Sequence, residues 1–290
     1  MDGSGGELRR LRRLEKYLRV MVVAYSDAGL ILIEAVPIVG KLSFYVDNPV
    51  SREFVKILPP RFHQKAIHYP LGIVTRIDNG VLLSYKIISY DGKQNYNYCK
   101  ILRLMIYSSE TGLWNDETVH LPFSFELINK CRCSISLNGN LYLLACKDDL
   151  KEFVLSIDYN ATCRVTPFPD LDKRRKFERF FTTSQGNLMY MNIFFHDGSL
   201  DHKLFFHDGS LDHKLCVWTL KSWEWQLVSE ISADFTKTFQ LAINLFDATT
   251  AYFRCMKRHC LLSINLDNGE FVRYLKDNIF ECYYSSFVLP

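Results

Sequence analysis

The sequence of 290 residues has few features of a membrane, secreted or nucleic-acid-binding protein. No uninterrupted apolar stretch reaches the roughly eighteen residues that cross a bilayer, and the N-terminus has no apolar signal-peptide core. The net charge of +3 is too small to indicate a nucleic-acid partner. We therefore expect an intracellular protein of the cytoplasm, the nucleus or both, with no membrane and no nucleic-acid partner.

Metal-binding motifs are missing as well. The nine cysteines include no C-x-x-C pair. Cys131 and Cys133 share one face of a predicted strand, and Cys255, His259 and Cys260 cluster near another, but neither group has a second pair in a matching register. These cysteines are predicted to be small buried thiols in a reduced compartment, and no metal site is expected.

Five times along the chain, an apolar strand-like run ends at a short polar turn and a second short strand follows. Such a unit cannot bury its own apolar face, so copies must stack beside one another. The five segments are FYVDNPVSREFVKILPP from Phe44, LMIYSSETGLWNDETVHLP from Leu104, FVLSIDYNATCRVTPFP from Phe153, LCVWTLKSWEWQLVSEI from Leu215 and CLLSINLDNGEFVRYLK from Cys260.

The spacing of these units predicts an all-β propeller. The turn anchors Asn48, Ser109, Asp158, Lys221 and Asp267 lie 61, 49, 63 and 46 residues apart, close to the length of a four-stranded blade. Solenoids of helix pairs compete, but these runs alternate in steps of two or are continuously apolar. We expect six blades, the sixth formed by strands around Ala24 together with Tyr283–Pro290.

Composition and length agree with a single β-rich domain. Hydrophobic residues make up 48% of the chain and aromatic residues 14%, including 16 Tyr and 21 Phe, which suit half-buried pleated surfaces. A chain of this length can bury a large core. We predict one propeller over residues 21–290.

Residues 1–20 are predicted to form a basic amphipathic leader. Leu8, Leu11, Leu14 and Leu18 recur at spacings of three and four, which favours a short helix with arginines on its polar side. The helix could pack beside the propeller or fray. A nuclear-import signal or a membrane-surface patch is the alternative interpretation.

The segment YVDNPVSREFVKILPP from Tyr45 resembles the start of the plant F-box-associated β-propeller domain. Later segments resemble further parts of that domain in the same order: IYSSETGLW from Ile106, SISLNGNLYLLAC from Ser134, FVLSIDYN from Phe153, LCVWTLKSWEWQLVSEI from Leu215 and YYSSFVLP at the end. The paired glycines of kelch blades are absent. The resemblance extends over residues 21–290.

The resemblance implies a non-enzymatic module that recognises a protein substrate for a Skp-cullin-F-box ubiquitin ligase. Such proteins dock on a Skp-type adaptor through an N-terminal helical module, which GELRRLRRLEKYLRV does not match. We therefore do not expect this chain to bind the adaptor. A truncated protein, a free-standing recognition module and a decoy without a ligase link all stay open.

Several residues are predicted to serve the blades themselves. Asn48, Pro49 and Arg52 form part of the first matched motif, and Gly112 and Gly139 supply the positive φ of tight turns. The tryptophans, above all Trp114 and Trp218, are expected between neighbouring sheets. Trp223 and Trp225 are predicted to share a strand face, where they could instead form a surface patch.

A perfect tandem copy interrupts the fourth unit. FFHDGSLDHKL at 194–204 recurs at 205–215, and removing one copy shortens the long interval to 52 residues. Because eleven is odd, a strand continued through the copy would turn every side chain to the wrong face. We expect one copy to extend a hairpin loop, with KLFF as an extra short strand and Phe205 and Phe206 exposed.

The duplication brings four histidines next to four aspartates. Imidazole binds zinc and titrates near neutrality, so a metal or pH-switch hypothesis arises. Copying alone explains their number, and we expect no metal here. The residues are His196, His202, His207 and His213 beside Asp197, Asp201, Asp208 and Asp212.

Two loops are candidates for partner contact. SYDGKQNYNYCK from Ser89 is rich in tyrosine, and tyrosines give much contact area for little rotamer entropy. Its candidates are Tyr90, Tyr96 and Tyr98. DKRRKFER from Asp172 offers Arg174 and Arg175 to an acidic partner, and a solvated inter-blade loop is the alternative.

No catalytic motif is recognisable. The sequence has no Gly-rich phosphate loop, no G-x-S-x-G elbow, no H-E-x-x-H and no carboxylate pair set apart by its context. We predict no enzyme activity, no catalytic residue and no cofactor. A propeller hydrolase is the less favoured alternative, and acids and histidines meeting at one mouth of the channel would support it.

Overall fold

The computed structural model describes residues 17–39, 42–59, 68–91, 99–128, 134–149, 151–170, 179–195, 213–233, 235, 238–244, 246–255 and 260–274. These residues form strands and turns. The twenty strands are β1 (Tyr17–Tyr25), β2 (Ile31–Pro37), β3 (Ser43–Asn48), β4 (Glu53–Ile57), β5 (His68–Asp78), β6 (Val81–Asp91), β7 (Cys99–Ser108), β8 (Leu113–Leu127), β9 (Ile135–Leu137), β10 (Asn140–Lys147), β11 (Glu152–Asp158), β12 (Cys163–Pro167), β13 (Phe180–Ser184), β14 (Asn187–Phe195), β15 (His213–Lys221), β16 (Glu224–Ala233), β17 (Thr238–Ile243), β18 (Thr250–Cys255), β19 (Cys260–Asn265) and β20 (Phe271–Tyr274).

The strands form five meanders of four antiparallel strands each. Meanders 1, 4 and 5 are separate sheets, with orders β1-β2-β3-β4, β13-β14-β15-β16 and β17-β18-β19-β20. Meanders 2 (β5–β8) and 3 (β9–β12) share one sheet of eight strands, because the end of β8 pairs with β10 from Leu127↔Ala145 to Phe125↔Lys147. The all-β prediction is confirmed.

All five anchors from the sequence fall at the same place in a meander, the connection between its third and fourth strands or the residue next to it. The first lies at the end of β3, opposite Glu53, and the last lies between β19 and β20. The pattern found in the sequence was therefore the outer hairpin of each meander. The inner pairs, such as β5 with β6 and β13 with β14, contribute the other half.

The sheet that holds Ala24 and the start of the first strand differ from expectation. The described residues contain five meanders, and the strand that carries Ala24 pairs with β2 in the first one, not in a sixth sheet. Tyr283–Pro290 lie outside the described residues. β1 begins at Tyr17, inside the stretch assigned to the leader, and Leu18 belongs to this strand. The rest of the predicted leader helix lies outside the described residues.

The chain divides into two compact units, Met1–Pro167 and Phe168–Pro290. In the N-terminal unit, one apolar cluster joins meanders 2 and 3, and a second packs meander 1 against Ile73 and Ile87 of meander 2. In the C-terminal unit, residues of meanders 4 and 5 share a cluster that includes Phe235 and Phe253. Each fully buried large side chain contributes about 1.5–3 kcal/mol, so such face-to-face burial stabilises sheets that could not fold alone.

The tandem copy leaves the strand register of meander 4 undisturbed. β14 ends within the first copy at Phe195, β15 begins within the second at His213, and these two residues are cross-strand partners. The extra eleven residues therefore lie in the connection 196–212, as the parity argument required. The expected KLFF strand and the exposure of Phe205 and Phe206 lie outside the described residues.

Candidate partner-binding surface

Each meander has two different ends. At one end, which we call the turn end, the first strand turns into the second and the third into the fourth. At the other, the loop end, the second strand connects to the third and the fourth leads to the next meander. Connections at turn ends hold two to six residues between strand bounds, and those at loop ends hold four to seventeen.

Side-chain contacts bring turn ends together within each unit. In the N-terminal unit, Asp27 in the β1–β2 turn accepts hydrogen bonds from the Thr75 hydroxyl at 2.9 Å and from the Asn138 backbone N–H at 2.5 Å. In the C-terminal unit, Gln185 Nε2 donates to the Phe246 carbonyl at 3.1 Å. The loop ends of each unit therefore share the opposite side of that unit.

The turn ends are built from local chemistry. Asn48 Oδ1 accepts the backbone N–H groups of Val50 and Ser51, and Asp158 Oδ1 accepts those of Asn160 and Thr162. These Asx turns fix the chain without tertiary support.

Positive φ recurs at the turn ends. Arg52, Gly112 and Gly139 have φ of 60°, 70° and 70°, so the two glycines act as predicted. Asn138 and Gly139 together form a two-residue turn with positive φ at both positions, which matches the twist of the flanking strands.

The candidate contact residues fall in loop-end connections. Tyr96 and Tyr98 belong to the β6–β7 connection of the N-terminal unit, and Arg174 and Arg175 belong to the β12–β13 connection of the C-terminal unit. All four lie outside the described residues. The structure does describe the strands that flank these connections, β6 and β7 in one case and β12 and β13 in the other. Both connections leave from loop ends.

Tyr90 was wrongly assigned to partner contact. It lies near the end of β6 with 1% of its surface exposed, within the apolar cluster of meanders 2 and 3. Ile87, Ile88 and Ser89 before it are also buried. The strand continues as a core strand through Tyr90, so the polar loop begins later than the composition suggested.

A buried ion pair holds the base of the basic connection. Asp170 precedes the stretch 171–178 and Arg179 follows it, and their side chains are paired with 1% and 5% exposure. Asp170 Oδ2 also accepts hydrogen bonds from the Tyr190 hydroxyl at 2.5 Å and from Asn192 Nδ2 at 2.9 Å. Four polar side chains thus satisfy one another in the interior, which buried charges require.

Aromatic rings surround this ion pair. The Arg179 guanidinium lies 4.3 Å from the centroid of Phe168, and Tyr190 stacks on Trp218 with centroids 5.0 Å apart. Burial raises the pKa of the Tyr190 hydroxyl far above its ordinary value, so the group keeps the proton that it donates to Asp170. This cluster was not predicted, because no sequence pattern links Asp170 with Arg179 across the basic run between them.

The tryptophans divide into packed and exposed positions. Trp114 bridges two meanders as predicted: its Nε1 donates to the Leu58 carbonyl at 2.8 Å and its ring contacts Phe44. Trp218 is buried, but its ring contacts are to Tyr190 and Phe194 of its own meander. Trp223 is 37% exposed and lies in the β15–β16 turn, not on a strand face with Trp225 as expected. Trp225 stacks on Phe168.

Among the described residues, no three His, Cys, Asp or Glu side chains are placed to hold a metal ion. Of the duplicated histidines, only His213 is described. It is fully buried, and its Nδ1 accepts the Phe235 backbone N–H at 3.3 Å. The described part of the chain also has no helix of the length and apolarity that crossing a membrane demands.

Sequence comparison agrees with this architecture. The family model "F-box protein At3g26010-like, beta-propeller" matches residues 8–287. The F-box protein At3g28330 of Arabidopsis thaliana is 45% identical over 273 residues, which cover 90% of this chain and 62% of that protein. The putative F-box protein At3g28280 of the same plant is 44% identical over 62% of this chain and 58% of its own length. The chain thus spans about three fifths of the length of these curated relatives.

A solved structure, AofleA from Arthrobotrys oligospora, covers 91% of this chain and 73% of its own at 10% identity with a TM-score of 0.42, a likeness too low to support an argument. The family match rests instead on nearly the whole sequence and agrees with the five meanders. The chain therefore belongs to the At3g26010-like F-box protein β-propeller family.

Proposed function

We propose that this chain is a non-enzymatic module that recognises a protein substrate, as the substrate-binding part of an F-box ubiquitin ligase does. The observation that carries the proposal is membership of an F-box protein propeller family over residues 8–287. The relatives are named as F-box proteins, and one relative as a putative F-box/kelch-repeat protein. Such a module would work in the cytoplasm or the nucleus, without a cofactor.

We place the partner contact at the loop ends. Tyr96, Tyr98, Arg174 and Arg175 lie in long connections there, whereas the turn ends consist of short hairpins closed by their own hydrogen bonds. Loops carried by a rigid scaffold can vary without altering the sheets, which suits recognition. The buried Asp170–Arg179 pair fixes both ends of the basic connection, so less freedom is lost when a partner binds it.

The proposal is tested by identifying the partner and then mapping it. Proximity labelling in plant cells followed by mass spectrometry should yield a protein whose labelling falls when Arg174→Glu and Arg175→Glu are combined. Arg52→Glu, at an exposed turn end, is the matched control and should leave the labelling unchanged. Equal labelling by both variants would contradict the placement at the loop ends.

Adaptor binding is a separate arm of the test. The proposal expects residues 1–290, expressed alone, to capture the substrate but not a Skp-type adaptor. Co-purification of the adaptor with this chain would overturn that expectation and place an adaptor-binding surface within the chain.

A further inference from the structure

Two cysteines of meander 5 lie directly opposite each other. Cys255 ends β18 and Cys260 begins β19, and the register of this antiparallel pair makes them cross-strand partners. Directly opposed residues in such a pair have Cα atoms about 4.5–5.5 Å apart, within the range of about 4.4–6.8 Å seen in disulfides. Neither thiol is in a disulfide in this structure.

Both side chains point to the same face of the sheet. Along the ladder, Ala251 pairs with Ile264 and Phe253 pairs with Leu262, and these residues belong to or pack against the core of the C-terminal unit. Since side chains alternate, Cys255 and Cys260 form the next rung on that face. They are 7% and 3% exposed, which agrees with this placement.

No other described cysteine has a cysteine opposite it. Cys99 lies opposite Phe125, Cys146 opposite Glu126 and Glu152, Cys163 opposite Ile157, and Cys216 opposite Asn192 and Glu230. The register therefore distinguishes one pair from the other thiols of the described chain.

We propose that Cys255 and Cys260 are a redox-sensitive pair that a peroxide converts to a cross-strand disulfide. One thiol loses its proton and attacks hydrogen peroxide, which gives a sulfenic acid and releases one oxygen of the peroxide as water. The second thiol attacks that sulfur, the S–S bond forms, and the other oxygen leaves as water. Two thiols and one peroxide thus give one disulfide and two waters. The bond staples β18 to β19 at the loop end of meander 5.

The test is a peptide map of the whole chain after treatment with hydrogen peroxide. Trypsin cleaves after Arg254, Lys257 and Arg258, so it separates the two cysteines into the peptides 255–257 and 259–273. Under non-reducing conditions these peptides should appear linked, the thiol count should fall by two from nine, and dithiothreitol should release both. Cys255→Ser and Cys260→Ala should each prevent the loss, and Cys163→Ser should not.

The peptide map distinguishes the predicted disulfide from other oxidation products. A linked pair of these two peptides in the wild-type chain supports the proposal even if a variant folds poorly. Linkage of Cys255 to any other cysteine, or oxidation of the two thiols to separate sulfinic or sulfonic acids, would overturn it. The inference stands on strand register and does not depend on the proposed function.

Discussion

The turn ends and the loop ends of the meanders are held in place by different kinds of contact. At the turn ends, the side-chain oxygens of Asn48 and Asp158 accept hydrogen bonds from backbone N–H groups. Gly112 and Gly139 supply positive φ. These interactions involve neighbours in sequence. At the loop end of meander 4, by contrast, Asp170 contacts Arg179, Tyr190 and Asn192, which lie 9, 20 and 22 positions away in the sequence.

This contrast indicates which connections can accept substitutions and insertions. A turn closed by its own residues depends on the side chain that accepts its backbone N–H groups or on a residue that adopts positive φ. A long connection clamped at its base can accept new residues between fixed ends, as the β14–β15 connection does with its tandem copy. The following changes test this contrast in order of decreasing expected effect.

Loss of the Asp170–Arg179 ion pair, which joins the two ends of the basic connection, should lower the stability of the chain more than any other change tested. Asp170→Ala leaves the Arg179 guanidinium buried without its counter-charge, and we expect the free energy of unfolding to fall by about 3–5 kcal/mol. Chemical denaturation measures it. Asp149→Ala is the control and should cost far less, because it gives up only an exposed ion pair with Lys151 and one hydrogen bond from the Lys151 backbone N–H. The double variant Asp170→Ala with Arg179→Met should lose less free energy of unfolding than the sum of the losses of the two single variants. Strictly additive losses would argue against a stabilising interaction between Asp170 and Arg179.

The two turn glycines should differ from each other. Gly139→Ala should lower the free energy of unfolding by about 1–2 kcal/mol, because the backbone is left-handed. The added Cβ would also lie 3.2 Å from the Thr75 carbonyl oxygen. Gly112→Ala has the same φ of 70° but meets no atom within 4 Å, so its loss should be smaller. Equal losses in urea denaturation would show that the contact with Thr75 adds nothing.

The Asx turn should make a modest contribution. Asn48→Ala removes the acceptor of two backbone hydrogen bonds, and we expect a loss of about 0.5–1 kcal/mol since water can replace it at this exposed site. The matched control is Asn160→Ala, because the side chain of Asn160 takes no part in the hydrogen bonds of the β11–β12 turn. Thermal unfolding that ranks the control as the more damaging change would contradict the local account of the turn ends.

The tandem copy should be the least consequential change. Deleting Phe205–Leu215 places His202, Lys203 and Leu204 where His213, Lys214 and Leu215 now pair with β14. Shortening the loop removes only about 0.6 kcal/mol of closure entropy per halving of its length, so the melting temperature should stay or rise slightly. A large fall in scanning calorimetry would mean that residues in the connection support the sheet.

Sequence reasoning succeeded where the signal was local. The hairpins at Asn48, Ser109 and Asp158 were found because Asn, Asp and Gly have a mechanism in turns that needs no tertiary partner. The odd length of the tandem copy likewise predicted that one copy would extend a hairpin loop and not continue a strand, and the pairing of Phe195 with His213 agrees with this.

Sequence reasoning failed where tertiary contacts determine the place of a residue in the fold. Tyr90 looked like a loop residue from its polar neighbours but completes a core strand. Asp170 and Arg179 are paired although they lie nine positions apart, and no pattern in the sequence predicts that they pair. β1 starts earlier than a helical spacing of leucines suggested, because Tyr17 onward pairs with β2.

The most direct test of recognition through the loop ends compares partner binding after a double charge reversal at a loop end with binding after a single charge reversal at a turn end. With the partner identified by proximity labelling, its affinity should fall at least tenfold, about 1.4 kcal/mol, when Arg174→Glu and Arg175→Glu are combined. It should not change with Arg52→Glu at the turn end. An affinity that survives the loop-end reversal but is lost with Arg52→Glu would contradict recognition through the loop ends.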